Sequence, residues 1–77
     1  MVSTGTVREW WADEGWGILT SPETPSGCWA HFSTLRIDGY RTLVPGQRVS
    51  FEWESPGQDG YGHRAVWVAP IDDGETD

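Results

Sequence analysis

Turn-forming residues break this chain at strand-length intervals, and that spacing leaves no room for a long helix. Asp13-Glu14-Gly15 ends the first run, and Ser21 to Gly27 carries two prolines and a glycine. Asp38-Gly39, Pro45-Gly46 and the segment from Ser55 to Gly60 supply the other breaks. Five short runs remain, at about Gly5–Trp11, Trp16–Thr20, Cys28–Phe32, Gln47–Glu54 and His63–Val68. The fourth is the clearest half-buried strand, because Val49, Phe51 and Trp53 alternate with Ser50, Glu52 and Glu54. Val7 on the first run, and Val66 and Val68 on the fifth, are expected to face inward. Residues 33–45 are too irregular for more than a short turn near Ser33–Leu35. Five short strands in 77 residues must close on one another to hide their edges, so the pattern predicts an all-β barrel or sandwich.

Composition bounds what such a fold can be. A chain of this length forms one small domain with a thin core. Hydrophobic residues make up only 36%, and six tryptophans supply much of the buried area such a core can draw on. One cysteine excludes an internal disulfide. No apolar run reaches membrane-spanning length, and Met1 to Gly5 lacks the charged flank and apolar stretch of a signal peptide, so a cytoplasmic protein is expected. Five arginines, no lysine and twelve acids give a net charge of −7. Four of the acids, Asp72, Asp73, Glu75 and Asp77, lie in a terminal segment 70–77 that reads as a disordered tail. Residues 1–4 read as a short extension, and 5–69 as the domain. Within 1–69, eight acids face five arginines, a mildly acidic balance that argues against tight, non-specific phosphate binding.

Two aromatic segments carry the functional signal: Gly15-Trp16-Gly17-Ile18-Leu19 and, thirteen residues on, Cys28-Trp29-Ala30-His31-Phe32. Side chains on a strand alternate between faces, so Trp16 shares a face with Ile18, and Trp29 with His31. On neighbouring strands these four would form one flat platform. Rings on a sheet surface suit the stacking of unpaired bases. The plainer reading is barrel packing, since aromatics favour strands whatever their role. Small Cys28 and Ala30 weigh against it, because they leave the bulky residues of that strand on the opposite face. Phe32 has core parity and is expected at the barrel rim. Trp10 and Trp11 are consecutive and must face opposite ways in an unbroken strand; the exposed one can add to the platform.

The sequence resembles the bacterial cold-shock domain, a five-stranded antiparallel OB-fold barrel, over residues 5–69. The two aromatic segments stand where that family has its ribonucleoprotein-like motifs. Gly5-Thr6-Val7-Arg8, His31-Phe32-Ser33, Gly39-Tyr40-Arg41-Thr42-Leu43 and Gly46-Gln47-Arg48-Val49-Ser50-Phe51-Glu52 continue the pattern in order. The resemblance implies a protein that binds single-stranded RNA or DNA and disfavours RNA secondary structure, with no cofactor and no catalysis. Carried over by position, Trp16, Trp29, His31, Phe32 and Tyr40 occupy stacking positions, with Trp10 beside them. Ile18 offers apolar contact where an aromatic is usual, and Arg8 and Arg41 match basic positions. Glu9 departs from a usual Trp and Glu14 from a usual Lys.

Other readings are weaker. Cys28 and His31 point to opposite faces of one strand, so they do not suit a nucleophilic dyad. One cysteine and two histidines at these spacings do not make a metal site. Glu52 and Glu54 share a solvent face and read as solvated. The rival to nucleic-acid binding is a protein-interaction module on the same barrel, whose acidic surface would take a basic protein partner and whose rings would anchor the interface. A monomer is expected in either case.

Overall fold

The computed structural model describes residues 2–39, 41–55 and 61–71. The expected runs become strands β1 (Val2–Trp11), β2 (Trp16–Thr20), β3 (Cys28–His31), β4 (Arg48–Glu54) and β5 (His63–Pro70), with one 3-10 turn at Phe32–Thr34. They close into a barrel in the order β1-β2-β3-β5-β4. The pairings are antiparallel except where β3 meets β5 in parallel. That parallel contact completes the ring, so among the described residues each strand has a neighbour on both sides. An all-β OB-fold barrel is therefore the architecture.

Two strands outrun their sequence limits. Val2, Ser3 and Thr4 pair with Glu52, Phe51 and Ser50, so residues 2–4 belong to β1 and are not an extension. At the other end Pro70 opposes Val49, and the Ile71 N–H donates to the Arg48 carbonyl at 3.0 Å. Proline is tolerated there because it lies at the end of its strand. The rest of the tail, residues 72–77, lies outside the described residues.

The core is small and formed mainly by alternate strand positions. Val7, Leu19, Cys28, Ala30, Val49, Phe51, Ala65 and Val68 point into the barrel, with Phe51 the largest fully buried side chain. Leu35 and Leu43, from the connection between β3 and β4, complete it. Leu35 is held there by a parallel bridge to Val68, and the next N–H, from Arg36, donates to the Val68 carbonyl at 2.7 Å.

Among the described residues the strand register shifts at two places, and both are bulges. On β5, Trp67 opposes Glu52, but the next β4 residue, Trp53, is opposed by Ala65. Val66 is the extra residue, so it turns outward while Ala65 takes the buried position. The expectation that Val66 faces inward is corrected by this shift; Val68 is buried as expected. On β1, Val7 opposes Leu19 and Glu9 opposes Ile18, which makes Arg8 the extra residue.

Cys28 is fully buried, and desolvation pushes its thiol pKa up to about 12. An unfolded thiol titrates near ~8.5. The folded thiol thus resists ionisation that the unfolded chain permits. Its contribution to stability is complete below about pH 8.5 and declines as pH rises toward the folded value near 12. Denaturant titrations between pH 8 and 11 should show a steeper loss of stability for the unaltered chain than for Cys28→Ala. At pH 8 a thiol reagent should label Cys28 only once the chain unfolds.

Candidate nucleic-acid interface

The outer face of β2 and β3 is set by their register. Trp16 opposes His31, and Ile18 opposes Trp29. With Gly17, Leu19, Cys28 and Ala30 buried on the inner side, the rings stand on the outside. They form a continuous strip. Trp16 and Trp29 stack with centroids 6.2 Å apart and planes 24° from parallel, and Trp29 and His31 stack at 5.9 Å and 15°. Phe32 extends the strip past His31, at 4.6 Å with a 46° tilt.

Phe32 escapes the core parity expected of it because β3 ends one residue earlier. The chain turns into the 3-10 segment, and the Phe32 N–H donates to the Gly15 carbonyl at 2.8 Å. Gly15 has φ of +78°, which closes the turn between β1 and β2. A Cβ at Gly15 would lie 2.9 Å from Phe32 Cδ1, so the glycine also makes room for the ring.

The bulge at Arg8 decides the other end. Unbroken alternation from inward Val7 would put Trp10 outside and Trp11 inside. The extra residue reverses this. Trp10 opposes Gly17 and packs against the core, where a Cβ on Gly17 would collide with the indole and the Glu9 carbonyl. Trp11 opposes Trp16 on the outer face, with centroids 4.5 Å apart. Trp10 is therefore corrected from platform to core, and Trp11 takes the outer place. The signal was available only as a gap: no sequence pattern marks a bulge at an arginine.

Ile18 is also corrected. It has outward parity but is 0% exposed, so it offers no surface to a ligand. Ile18 Cγ2, Tyr61 Cδ1 and Arg8 Nη2 all converge on Gly27, each 3.0–3.1 Å from where a Cβ would stand. Ile18, paired with Trp29, is thus enclosed, and Arg8 and half-buried Tyr61 lie close to it around Gly27. Tyr61 follows a turn in sequence, and nothing in the strand pattern pointed to it.

Polar groups fix the rings. The Trp16 indole N–H donates to Glu14 Oε1 at 3.1 Å, so the departing Glu14 orients a ring of the strip. The Ser33 N–H donates to His31 Nδ1 at 3.3 Å, with the Ser33 hydroxyl 2.9 Å from the same nitrogen. Nδ1 is thus the acceptor of the Ser33 N–H, a contact that fixes the ring against the 3-10 turn. Arg41 is exposed and shares a cleft of about 250 Å³ with Asp13, Glu14, Gly15 and Phe32. Tyr40 lies outside the described residues. Trp53, which the alternation of its strand put in the core, packs against it and donates to Ser3 Oγ at 3.0 Å. Trp67 is outward, and its indole donates to Glu52 at 2.9 Å. Among the described residues no group of three or more His, Cys, Asp and Glu is placed to hold a metal ion, and no helix is long and apolar enough to cross a membrane.

A family model described as the "cold-shock" DNA-binding domain matches residues 3–70. The chain belongs to the cold-shock domain family. It is 38% identical over 71 residues to the cold shock-like protein CspD of Vibrio cholerae, covering 92% of this chain and 90% of that one. It is 38% identical over 69 residues to cold shock protein 1 of Lactiplantibacillus plantarum, covering 90% and 98%. Among solved structures, Drosophila Unr CSD456 superposes with a TM-score of 0.71 at 19% identity. That alignment covers all of this chain but 29% of the larger one, and it speaks to the fold alone. The family match starts at Ser3 and ends at Pro70, close to the ends of β1 and β5.

Within this cold-shock domain, the two neighbouring tryptophans should behave oppositely. Trp10→Ala removes a ring packed on the core and should cost about 3–5 kcal/mol. Trp11→Ala removes an exposed ring and should cost less than about 1 kcal/mol. Chemical denaturation of the two variants checks this. Equal losses would mean that the bulge does not reverse the strand.

Proposed function

We propose that this cold-shock domain binds single-stranded RNA or DNA by stacking unpaired bases on the strip Trp11, Trp16, Trp29, His31 and Phe32. The observation that carries the reading is the continuity of that strip, with neighbouring centroids between 4.5 and 6.2 Å apart across three strands and the 3-10 turn. Every base has a π-face, so such a surface accepts many sequences. Arg8 and Arg41, exposed at its two sides, neutralise phosphates, and Tyr40 is the further stacking residue of the reading. Bases held on the strip are removed from competing pairs, so RNA secondary structure is disfavoured. The domain acts as a monomer in the cytoplasm, and binding alone is its activity.

The carboxylates tune this surface. Glu14 fixes Trp16 through its indole N–H but sets a negative charge where a phosphate would pass. Affinity should therefore be modest, with stacking as its larger part and a smaller part that falls with salt.

Fluorescence titration with short pyrimidine-rich and purine-rich oligonucleotides tests the proposal. Trp16→Ala and Trp29→Ala should each weaken binding by about 1–3 kcal/mol, the usual loss of one stacked base, and both should stay folded. Glu14→Gln keeps an acceptor for the indole and removes the charge, so it should tighten binding at low salt and converge on the unaltered chain at high salt. If no oligonucleotide binds at low salt while a basic protein partner does, the strip is an interface anchor and the nucleic-acid reading fails.

A further inference from the structure

We propose that Arg64 is a phosphate-binding residue of this surface, held in reserve by its ion pair with Glu54. The inference rests on the stacking reading above and adds a cation that no sequence motif singled out. Arg64 stands on β5, and the parallel pairing of β3 with β5 matches Trp29 to Arg64. The pairing thus sets an arginine level with a ring of the strip. An open groove of about 560 Å³ lies there, bounded by Trp29 and His31, by Ser33 and Thr34, and by Glu54 and Arg64. Arg64 is the one permanent cation among its lining residues.

That composition suits a nucleic-acid backbone. Bases flat on Trp29 and His31 would leave their sugar-phosphate chain along the edge of the rings, where the groove runs. Protein donors commonly meet the strand at its phosphates, and a guanidinium matches a phosphodiester as well as it matches a carboxylate. The other cations are fewer than they look. Arg36 lies over the Trp67 ring at 4.4 Å, and Arg48 lies on β4, which borders neither β2 nor β3. Arg64 therefore joins Arg8 and Arg41 as a third cation beside the strip.

Glu54 holds it in the unbound protein. Arg64 Nη2 donates to Glu54 Oε2, and the two side chains are 42% and 48% exposed. A pair so exposed adds little to stability, so an arriving phosphate can exchange for the carboxylate. Until then Glu54 cancels the charge of the groove. The device makes Arg64 available only to a strand already aligned by stacking, which limits adventitious binding of polyanions.

A short oligothymidylate, titrated by tryptophan fluorescence across a salt series, tests the exchange. Glu54→Gln should tighten binding severalfold at low salt, because the phosphate no longer has to displace a carboxylate, while the number of phosphate contacts stays that of the unaltered chain. Arg64→Gln should weaken binding and flatten the slope by about 0.7. Arg64→Lys, which keeps the charge, should keep most of the slope. The deciding comparison is the double variant: the gain from Glu54→Gln should vanish when Arg64 is Gln. A gain of equal size with and without Arg64 would show only that a negative charge had been removed, and the proposal would be wrong. Arg64→Gln binding like the unaltered chain would overturn it too. Failure of the stacking reading looks different, because Trp16→Ala and Trp29→Ala would then leave oligothymidylate binding unchanged.

Discussion

The surface of this protein depends on one irregularity, the bulge at Arg8. Before it, β1 alternates in phase with a core of modest side chains. After it, the strand has slipped by one residue, so Trp10 drops onto Gly17 and Trp11 rises beside Trp16. One extra residue thus converts two adjacent tryptophans into one core ring and one surface ring. It also leaves Arg8 outside the regular ladder, with its guanidinium close to Ile18 and Tyr61. Gly17 is the other half of the device, since any larger residue would push Trp10 out of the barrel wall.

The division of large and small residues follows the same logic. A barrel of five short strands has little interior, and β2 and β3 give it Gly17, Leu19, Cys28 and Ala30. Bulk that the interior cannot hold is placed outside. There it forms the ring strip. The burial of Cys28, which raises its thiol pKa, belongs to this packing and not to any chemistry.

Electrostatics sets the tone of the interface. An acidic chain with five arginines cannot offer a broad basic footprint. What it offers is local: Arg8, Arg41 and Arg64 spaced around one aromatic strip, with Glu14 and Glu54 set against them. On the proposed stacking reading, the rings would supply the attraction that is not screened by salt, and the arginines a smaller part that is. Under that proposal the balance would favour unpaired bases over bare phosphate charge.

The sequence by itself determined the strands and the centre of the strip; its pattern left barrel and sandwich open, and the family resemblance pointed to the barrel. Breaker spacing located all five strands, and period-two alternation put Val49 and Phe51 inside and Trp16, Trp29 and His31 outside. These features are local, because neighbouring residues along a strand fix which way each side chain points. Tertiary structure alone decided Trp11 over Trp10, the burial of Ile18, the release of Phe32 from β3, the outward turn of Val66, the placing of Tyr61 near Ile18 and that of Arg64 beside Trp29. Each depends on a partner distant in sequence. A bulge is defined only against the strand it opposes, and Arg64 meets Trp29 only because β5 returns in parallel to close the barrel. Alternation carries no information about such meetings, so the strip could be read from the chain while its edges could not.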